Sequence, residues 1–148
     1  MRSGSLKAGL LGGFIGTIAV SGMMIAKTAS GKFPELHVIR TLTEVLGTSH
    51  YGISILVMFF IGTVVWGGIY ALFNELIPGS SHLVKGLILG LVSWLLMMLV
   101  FMPMAGAGVF GMERGTWSVP VITLAYNLVF GAVLGMVYGA SAEPGRLT

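Results

Sequence analysis

The chain has 148 residues, of which 55% are hydrophobic and only 9% are charged. A soluble domain has roughly 25% charged residues, so this composition excludes an ordinary water-soluble fold and indicates a single integral membrane domain over residues 1–148. The formal net charge of +3 comes from scattered lysines and arginines, which excludes the clustered basic surface that a nucleic-acid partner needs. The chain has no cysteine, so disulfides, thiolate metal sites and thiol catalysis are excluded as well.

The first apolar segment follows a short basic lead and carries no charged residue over residues 8–26. It is longer than the roughly 7–15 apolar residues of a signal peptide core, so we interpret it as a retained membrane-spanning helix. Small residues recur along it, and small residues allow a second helix backbone to approach closely in lipid. The candidate packing residues are Gly9, Gly12, Gly13 and Gly16.

A shorter amphipathic segment, about residues 34–46, connects the first apolar segment to the second. Pro34 suits a helix start, and Gly47 suits a helix end. Arg40 and Glu44 can pair at i,i+4 on the polar side. The apolar side holds Leu36, Ile39, Leu42, Val45 and Leu46, and the polar side also holds Glu35 and Thr41. The segment is too short to cross a bilayer, so it predicts a helix that lies along the membrane surface.

Three further apolar segments complete the membrane domain. Residues 51–73 form the second predicted span, residues 86–104 the third and residues 117–140 the fourth. Aromatic residues near the ends of the second span are typical of the membrane–water interface. The sequence therefore predicts an all-α fold: a bundle of four transmembrane helices with both termini on one side, and one short amphipathic interfacial helix between the first and second spans.

The fourth span carries a stripe of small residues spaced four apart, which places them along one helix face. Its members are Asn127, Gly131, Gly135 and Gly139. We expect Gly131 and Gly135 to line a close contact with the first span around residues 9–16, or with a second copy of the chain. Leu134 is then expected to face lipid.

A faint internal repeat relates the two halves of the chain. Gly9 and Gly13 of the first span match Gly86 and Gly90 of the third at one offset, and the second and fourth spans match at another. Two successive helical hairpins of the same orientation would give this pattern.

Histidine and methionine are the candidate metal or haem ligands in this sequence. Imidazole with thioether sulfur suits Cu(I), and a histidine pair can ligate haem. The candidates are His37, His50, Met102 and Met104, which are predicted to lie in the same half of the protein. We favour a purely structural role for these residues, because histidines at helix ends are common and methionine fills irregular packing. We therefore expect no cofactor.

Catalytic and ion-coupling groups are not found within the predicted spans. None of the four contains Asp, Glu, Lys or Arg, whereas proton-coupled carriers usually keep an ionisable group at membrane depth. No nucleotide-binding, zinc-protease or serine-hydrolase motif occurs, so an enzyme is not expected. Asn127 is the main candidate for a buried polar group, and we expect it to form an interhelical hydrogen bond.

Three features resemble a known family: the opening from Lys7 to Thr17, the Met23 and Met24 pair, and the glycine ladder from Gly131 to Gly139. They are similar to small four-helix membrane proteins of prokaryotes that form a family of unknown function. The resemblance implies the same fold and a bacterial or archaeal inner membrane. It implies no catalytic residue.

Two functions from different classes remain open. A non-catalytic accessory or scaffold subunit would pack within the bilayer in a homo-oligomer or a larger membrane protein complex. A small-solute channel or carrier would instead act as an oligomer; metal or haem binding at His37 and His50 is a third, less favoured function. The uncharged spans favour the first. We expect a multi-pass protein of the inner membrane, but lysines and arginines are equally divided between its two sides and do not set its orientation.

Overall fold

The computed structural model describes residues 3–32, 37–114 and 117–142. Its five helices are α1 (Ser3–Ser30), α2 (Val38–Leu46), α3 (Tyr51–Phe73), α4 (His82–Met104) and α5 (Ser118–Ala142). A short 3₁₀ segment, Val109–Arg114, precedes α5. All but α2 are long and apolar enough to cross a membrane, so the chain is a multi-pass membrane protein. The predicted fold, with a short helix between the first two spans, is confirmed.

Two spans are longer than the sequence predicts. α1 continues past Lys27 to Ser30, and α4 begins at His82, before Lys85. The prediction ended the first span before Lys27 and began the third after Lys85. A lysine near a helix end, however, can extend its charged group to the interface while the helix continues. The hydroxyl of Ser81 accepts a hydrogen bond from the amide of Val84 at 3.3 Å, which fixes the start of α4.

The four long helices form an arc in the order α3, α1, α5, α4. α1 packs between α3 and α5, and α5 packs between α1 and α4. α3 and α4 meet where the turn over residues 74–81 joins them, and there the Tyr70 hydroxyl donates to the His82 carbonyl at 2.8 Å. We call this the turn end of the protein, and the other end, which holds α2, the α2 end. α1 begins and α5 ends at the turn end.

α3 and α4 each contain a π-helical turn, at Ile61–Trp66 and Met97–Phe101. In a regular α-helix, the five-residue step from Gly62 to Gly67 would leave the two glycines about 140° apart around the axis. The π turn accommodates one extra residue, and both glycines contact α1. The π turn therefore places two glycines of unsuitable spacing on one face.

α1 presents glycines to two neighbours at once. Gly9 and Gly13 lie against the backbone of α3, whereas Gly12 and Gly16 lie against α5 around Leu134. A Cβ at any of these four positions would collide with a neighbouring helix or press tightly against it. Small residues on both sides therefore allow α1 to occupy the middle of the arc.

Gly131 and Gly135 line a close helix contact as predicted, but the predicted partner, the first span or a second copy, is wrong. Both lie against the α4 backbone, at Gly86 and His82 respectively, and Gly139 continues the stripe beside the His82 ring. α4 has glycine at the crossing point, so two backbones approach each other directly. Asn127 contributes its carbonyl to the same contact, at Gly90 of α4.

Leu134 was expected to face lipid, and this prediction is also wrong. Its side chain is fully buried, and it lies against Gly12 of α1. Because the glycine stripe of α5 faces α4, the side of α5 that carries Leu134 is free to pack on α1. Both sides of α5 are therefore used inside the protein.

α2 follows the prediction only in part. The helix begins at Val38, and the predicted start at Pro34, with Glu35 and Leu36, lies outside the described residues. Gly47 ends α2 in the left-handed conformation at φ 63°, as its place in the sequence indicates. The expected Arg40–Glu44 ion pair forms at 3.2 Å.

The assignment of the two sides of α2 needs a correction. Thr41, predicted on the polar side, is buried at 7% exposure, whereas Leu46, predicted on the apolar side, is 41% exposed. Thr43 is buried as well, and its hydroxyl lies 2.8 Å from that of Ser54 on α3. Short hydroxyl side chains can be buried here because they find hydrogen-bond partners, and α2 is turned toward the bundle accordingly.

Candidate functional site

A cavity of about 330 Å³ lies inside the arc toward the α2 end. Every helix contributes to its wall, which is mostly aliphatic and aromatic. Two of the lining residues on α4, Leu96 and Val100, are also 47% and 45% exposed. Since both lie within a span, the cavity opens sideways along α4, in the direction where lipid surrounds a membrane protein. We call it the apolar cavity.

α2 covers the apolar cavity at the α2 end. Val38, Thr41, Leu42 and Val45 line the cavity from this helix. The hydrogen bond between the Thr43 and Ser54 hydroxyls connects α2 to α3. Because Thr43 donates its own proton to the Ile39 carbonyl at 2.7 Å, Ser54 is the donor in the bond between the helices.

Four methionines form part of the cavity wall. Met24, Met58, Met97 and Met102 come from three different helices and line the same space. Methionine is unbranched and polarisable, so a wall built from it can adapt to apolar molecules of different shape. His37, His50, Met102 and Met104 were predicted to lie in the same half of the protein, and this is the half that contains the cavity.

The polar groups in this wall are largely satisfied by nearby backbone. Thr17 donates to the Gly13 carbonyl at 2.8 Å, and Thr123 donates to the Val119 carbonyl at 2.6 Å. Asn127 is partly buried and donates to the Thr123 carbonyl of its own helix at 2.8 Å. The expected interhelical hydrogen bond of Asn127 is formed with the Met97 sulfur of α4, to which the same amide donates at 3.8 Å.

Tyr126 differs from these residues. It is only 5% exposed, and its hydroxyl has no hydrogen-bond partner within the described part of the chain. The hydroxyl of Thr63, in the π turn of α3, is also buried without a hydrogen-bond partner among the described residues. Leaving a buried hydroxyl unpaired costs roughly 1–3 kcal/mol, so an acceptor atom supplied to Tyr126 would be favourable. Nothing in the sequence distinguishes Tyr126 from the other aromatic residues of the spans.

A polar aromatic cluster closes the arc at the turn end. Besides the bond from Tyr70 to His82, the Asn74 amide donates to the Tyr138 hydroxyl at 3.1 Å. The Tyr70 and Tyr138 rings meet edge to face, with their centroids 5.0 Å apart. These residues connect α3, α4 and α5. The sequence indicated the aromatic residues near the ends of the second span, Tyr70 among them, only as interfacial residues, because the partners of Tyr70 come from distant segments.

The candidate metal ligands lie in different surroundings. His37 and His50 are exposed residues that directly precede α2 and α3. Met102 is buried and lines the apolar cavity, whereas Met104 is 67% exposed. Among residues 3–32, 37–114 and 117–142, no group of three or more His, Cys, Asp or Glu side chains is placed to hold a metal ion.

Comparison with known proteins gives a family and no function. A family model described as "Family of unknown function (DUF6789)" matches residues 3–147. No curated protein and no solved structure matches the chain. The match extends over nearly all of the chain, including every helix that forms the cavity. The chain therefore belongs to DUF6789, a family of unknown function.

Proposed function

We propose that the chain is a non-catalytic subunit of the cell inner membrane that binds an apolar, lipid-like molecule between α3 and α4. The observation that supports this most is the apolar cavity of about 330 Å³, which opens sideways within the span. Its volume falls in the range of roughly 300–1,000 Å³ that is usual for small-molecule sites, and such sites are mostly apolar.

The chemistry of the wall favours hydrocarbon as the occupant. Ordered water needs two to four polar partners, and the polar groups of Thr17, Thr123 and Asn127 are already bonded to backbone. An apolar molecule needs no such partners and can enter from the bilayer through the opening beside Leu96. The methionines then give a wall that adapts to its shape.

This proposal keeps the accessory role that the sequence favours, but it changes the surfaces that would contact other chains. The glycines at 9–16 and the stripe from Gly131 to Gly139 are occupied by contacts inside the chain. A homo-oligomer or a larger complex would therefore be built on the outer faces of the spans.

A pore through a single chain receives less support. α1 and α5 pack closely at Gly12 and Gly16, and the cluster around Tyr70 fills the turn end. A channel would then require several copies of the chain, with the path between them.

Native mass spectrometry of the protein purified in mild detergent tests the proposal. Leu96→Trp places an indole at the mouth of the cavity, and Leu95→Trp is a matched control, because Leu95 is the adjacent leucine, 38% exposed and not a lining residue. We expect the wild type and Leu95→Trp to retain a lipid-sized adduct that Leu96→Trp loses. Equal retention by both variants, or an adduct consisting of a partner polypeptide, would contradict the proposal.

A further inference from the structure

A second cavity, of about 350 Å³, adjoins the apolar cavity at the α2 end. The two cavities share Met24, Val38 and Tyr126 as lining residues. The second cavity is more polar, and its described lining includes Lys27, His37 and Arg40 but no carboxylate. We call it the basic cavity. A basic space at the surface thus continues into an apolar space at membrane depth.

The start of α2 adds to the positive character of the basic cavity. His37, Val38 and Ile39 line it, and α2 begins there without a side-chain hydrogen bond from His37 to cap it. The first turn of a helix presents backbone N–H groups and the positive end of the helix dipole, which favours an anion. Arg40 lies in this same turn, and its guanidinium group also pairs with Glu44.

Tyr126 is an independent observation at the junction. Tyr126 lines both cavities, and its hydroxyl is buried without a partner among the described residues. A phenol hydroxyl donates to an oxygen acceptor, and hydrogen bonds to charged acceptors are the stronger ones. The position suits an oxygen atom that connects a polar head to an apolar tail.

We propose that the two cavities form one site for a phosphate-bearing amphiphile. Its phosphate lies in the basic cavity beside Lys27, Arg40 and the start of α2, and its hydrocarbon tail extends into the apolar cavity. Tyr126 donates to an oxygen at the junction. This inference rests on the proposed function, since the tail occupies the cavity described there. The amphiphile is either an anionic glycerophospholipid of the bilayer or a polyprenyl phosphate.

Titration of the purified protein with defined lipids tests the inference and distinguishes the two sources. The probes are phosphatidylglycerol, a polyprenyl monophosphate and, as the uncharged reference that has no phosphate, diacylglycerol, with binding measured by native mass spectrometry. We expect at least one anionic probe to bind about tenfold more tightly than diacylglycerol, which corresponds to one or two favourable charge contacts. The tighter of the two anionic probes identifies the source. Equal binding of all three probes would overturn the inference.

Three variants test the residues. Lys27→Gln combined with Arg40→Gln should weaken binding of the anionic probe about tenfold and leave binding of diacylglycerol unchanged. Tyr126→Phe should weaken it about fivefold, the usual effect of losing one hydrogen bond. Lys85→Gln, at the turn end, is the control and should have no effect. If neither basic residue nor Tyr126 alters anionic binding, the inference is wrong.

The Leu96→Trp variant separates this inference from the proposed function. If it weakens binding of neutral and anionic lipids alike while charge has no influence, the apolar cavity binds lipid and only the phosphate assignment fails. If it weakens binding of neither, both the inference and the proposed function fail.

Discussion

Gly86 of α4 and Gly131 of α5 touch backbone to backbone, so that a Cβ atom on either residue would overlap the carbonyl oxygen of the other. Gly67 of α3 and Gly9 of α1 form the same kind of contact in the other half of the chain. Helix pairs that lack side chains at the crossing point gain close van der Waals packing in lipid. The two hairpins suggested by the repeated glycines, α1 with α3 and α4 with α5, thus pack in the same way.

Alanine should already be damaging at these positions. In Gly67→Ala, the new methyl group would meet the Gly9 carbonyl and Leu10, and overpacking of this kind typically costs about 1–3 kcal/mol. Gly68→Ala is the matched control, because no atom other than those of its chain neighbours and its own helix backbone lies within 4 Å of its Cβ position. The control should be neutral or stabilise by up to about 1 kcal/mol through helix propensity. Unfolding in detergent measures both, and equal stability of the two variants would refute the contact.

The π turn of α3 predicts that one residue can be removed there. Deleting Val64, which is 46% exposed, leaves Gly62 and Gly67 four residues apart in a regular α-helix, so both still face α1. The loss of unfolding free energy should be no more than about 1 kcal/mol. Deleting Ile18, which is 48% exposed in regular α1, rotates the rest of that helix by about 100° and should prevent folding. Folding yields and melting curves that do not differ between the deletions would argue against this account of the π turn.

The cluster at the turn end predicts unequal effects from two tyrosines. Tyr70→Phe removes the hydrogen bond to the His82 carbonyl that joins α3 to α4, and should cost about 1 kcal/mol. Tyr138→Phe should cost less, because the Asn74 amide keeps its second bond, to the Ala71 carbonyl at 3.1 Å. Chemical unfolding of both variants gives the order, and the reverse order would show that the Tyr70 bond does not join the helices.

A single hydrogen bond that attaches α2 to α3 can be removed by substitution. Ser54→Ala removes the hydrogen bond between α3 and Thr43, while Thr43 keeps its bond to the Ile39 carbonyl. Hydrogen exchange of the α2 amides should then become about fivefold faster, as expected from the loss of one bond. Ser49→Ala, at an exposed residue between α2 and α3, is the control and should leave exchange unchanged. Unchanged exchange in Ser54→Ala would mean that this bond does not hold α2 in place.

The fold could be predicted because length and hydropathy determine the spans almost alone. The partners of the glycines could not be predicted, since a stripe such as Gly131 and Gly135 indicates a close contact without naming the helix that makes it. Leu134 was misplaced for the same reason, because α5 has a second packed face. The π turns depend on tertiary contacts, and they leave no periodic signal near Gly62 and Gly67.

The candidate site was less predictable than the fold. The predicted grouping of Met102 and Met104 with His37 and His50 in one half of the protein agrees with the half that contains the cavity, but that grouping did not indicate a cavity. The cavity itself arises because α3 and α4 meet at Tyr70 and His82 and are separated toward the α2 end, which depends on the arrangement of all four spans. Tyr126 and the burial of Thr41 follow from that arrangement and could not be read from local sequence.

Direct observation of the occupant tests the central claim most directly. Crystals grown in a lipidic mesophase doped with phosphatidylglycerol or a polyprenyl phosphate would show the space between α3 and α4 in a membrane environment. We predict one continuous stretch of non-protein electron density that runs from the basic cavity beside Arg40, past Tyr126, and into the apolar cavity beside Leu96. α3 and α4 in contact along their whole length, or a segment of polypeptide in this space, would contradict it.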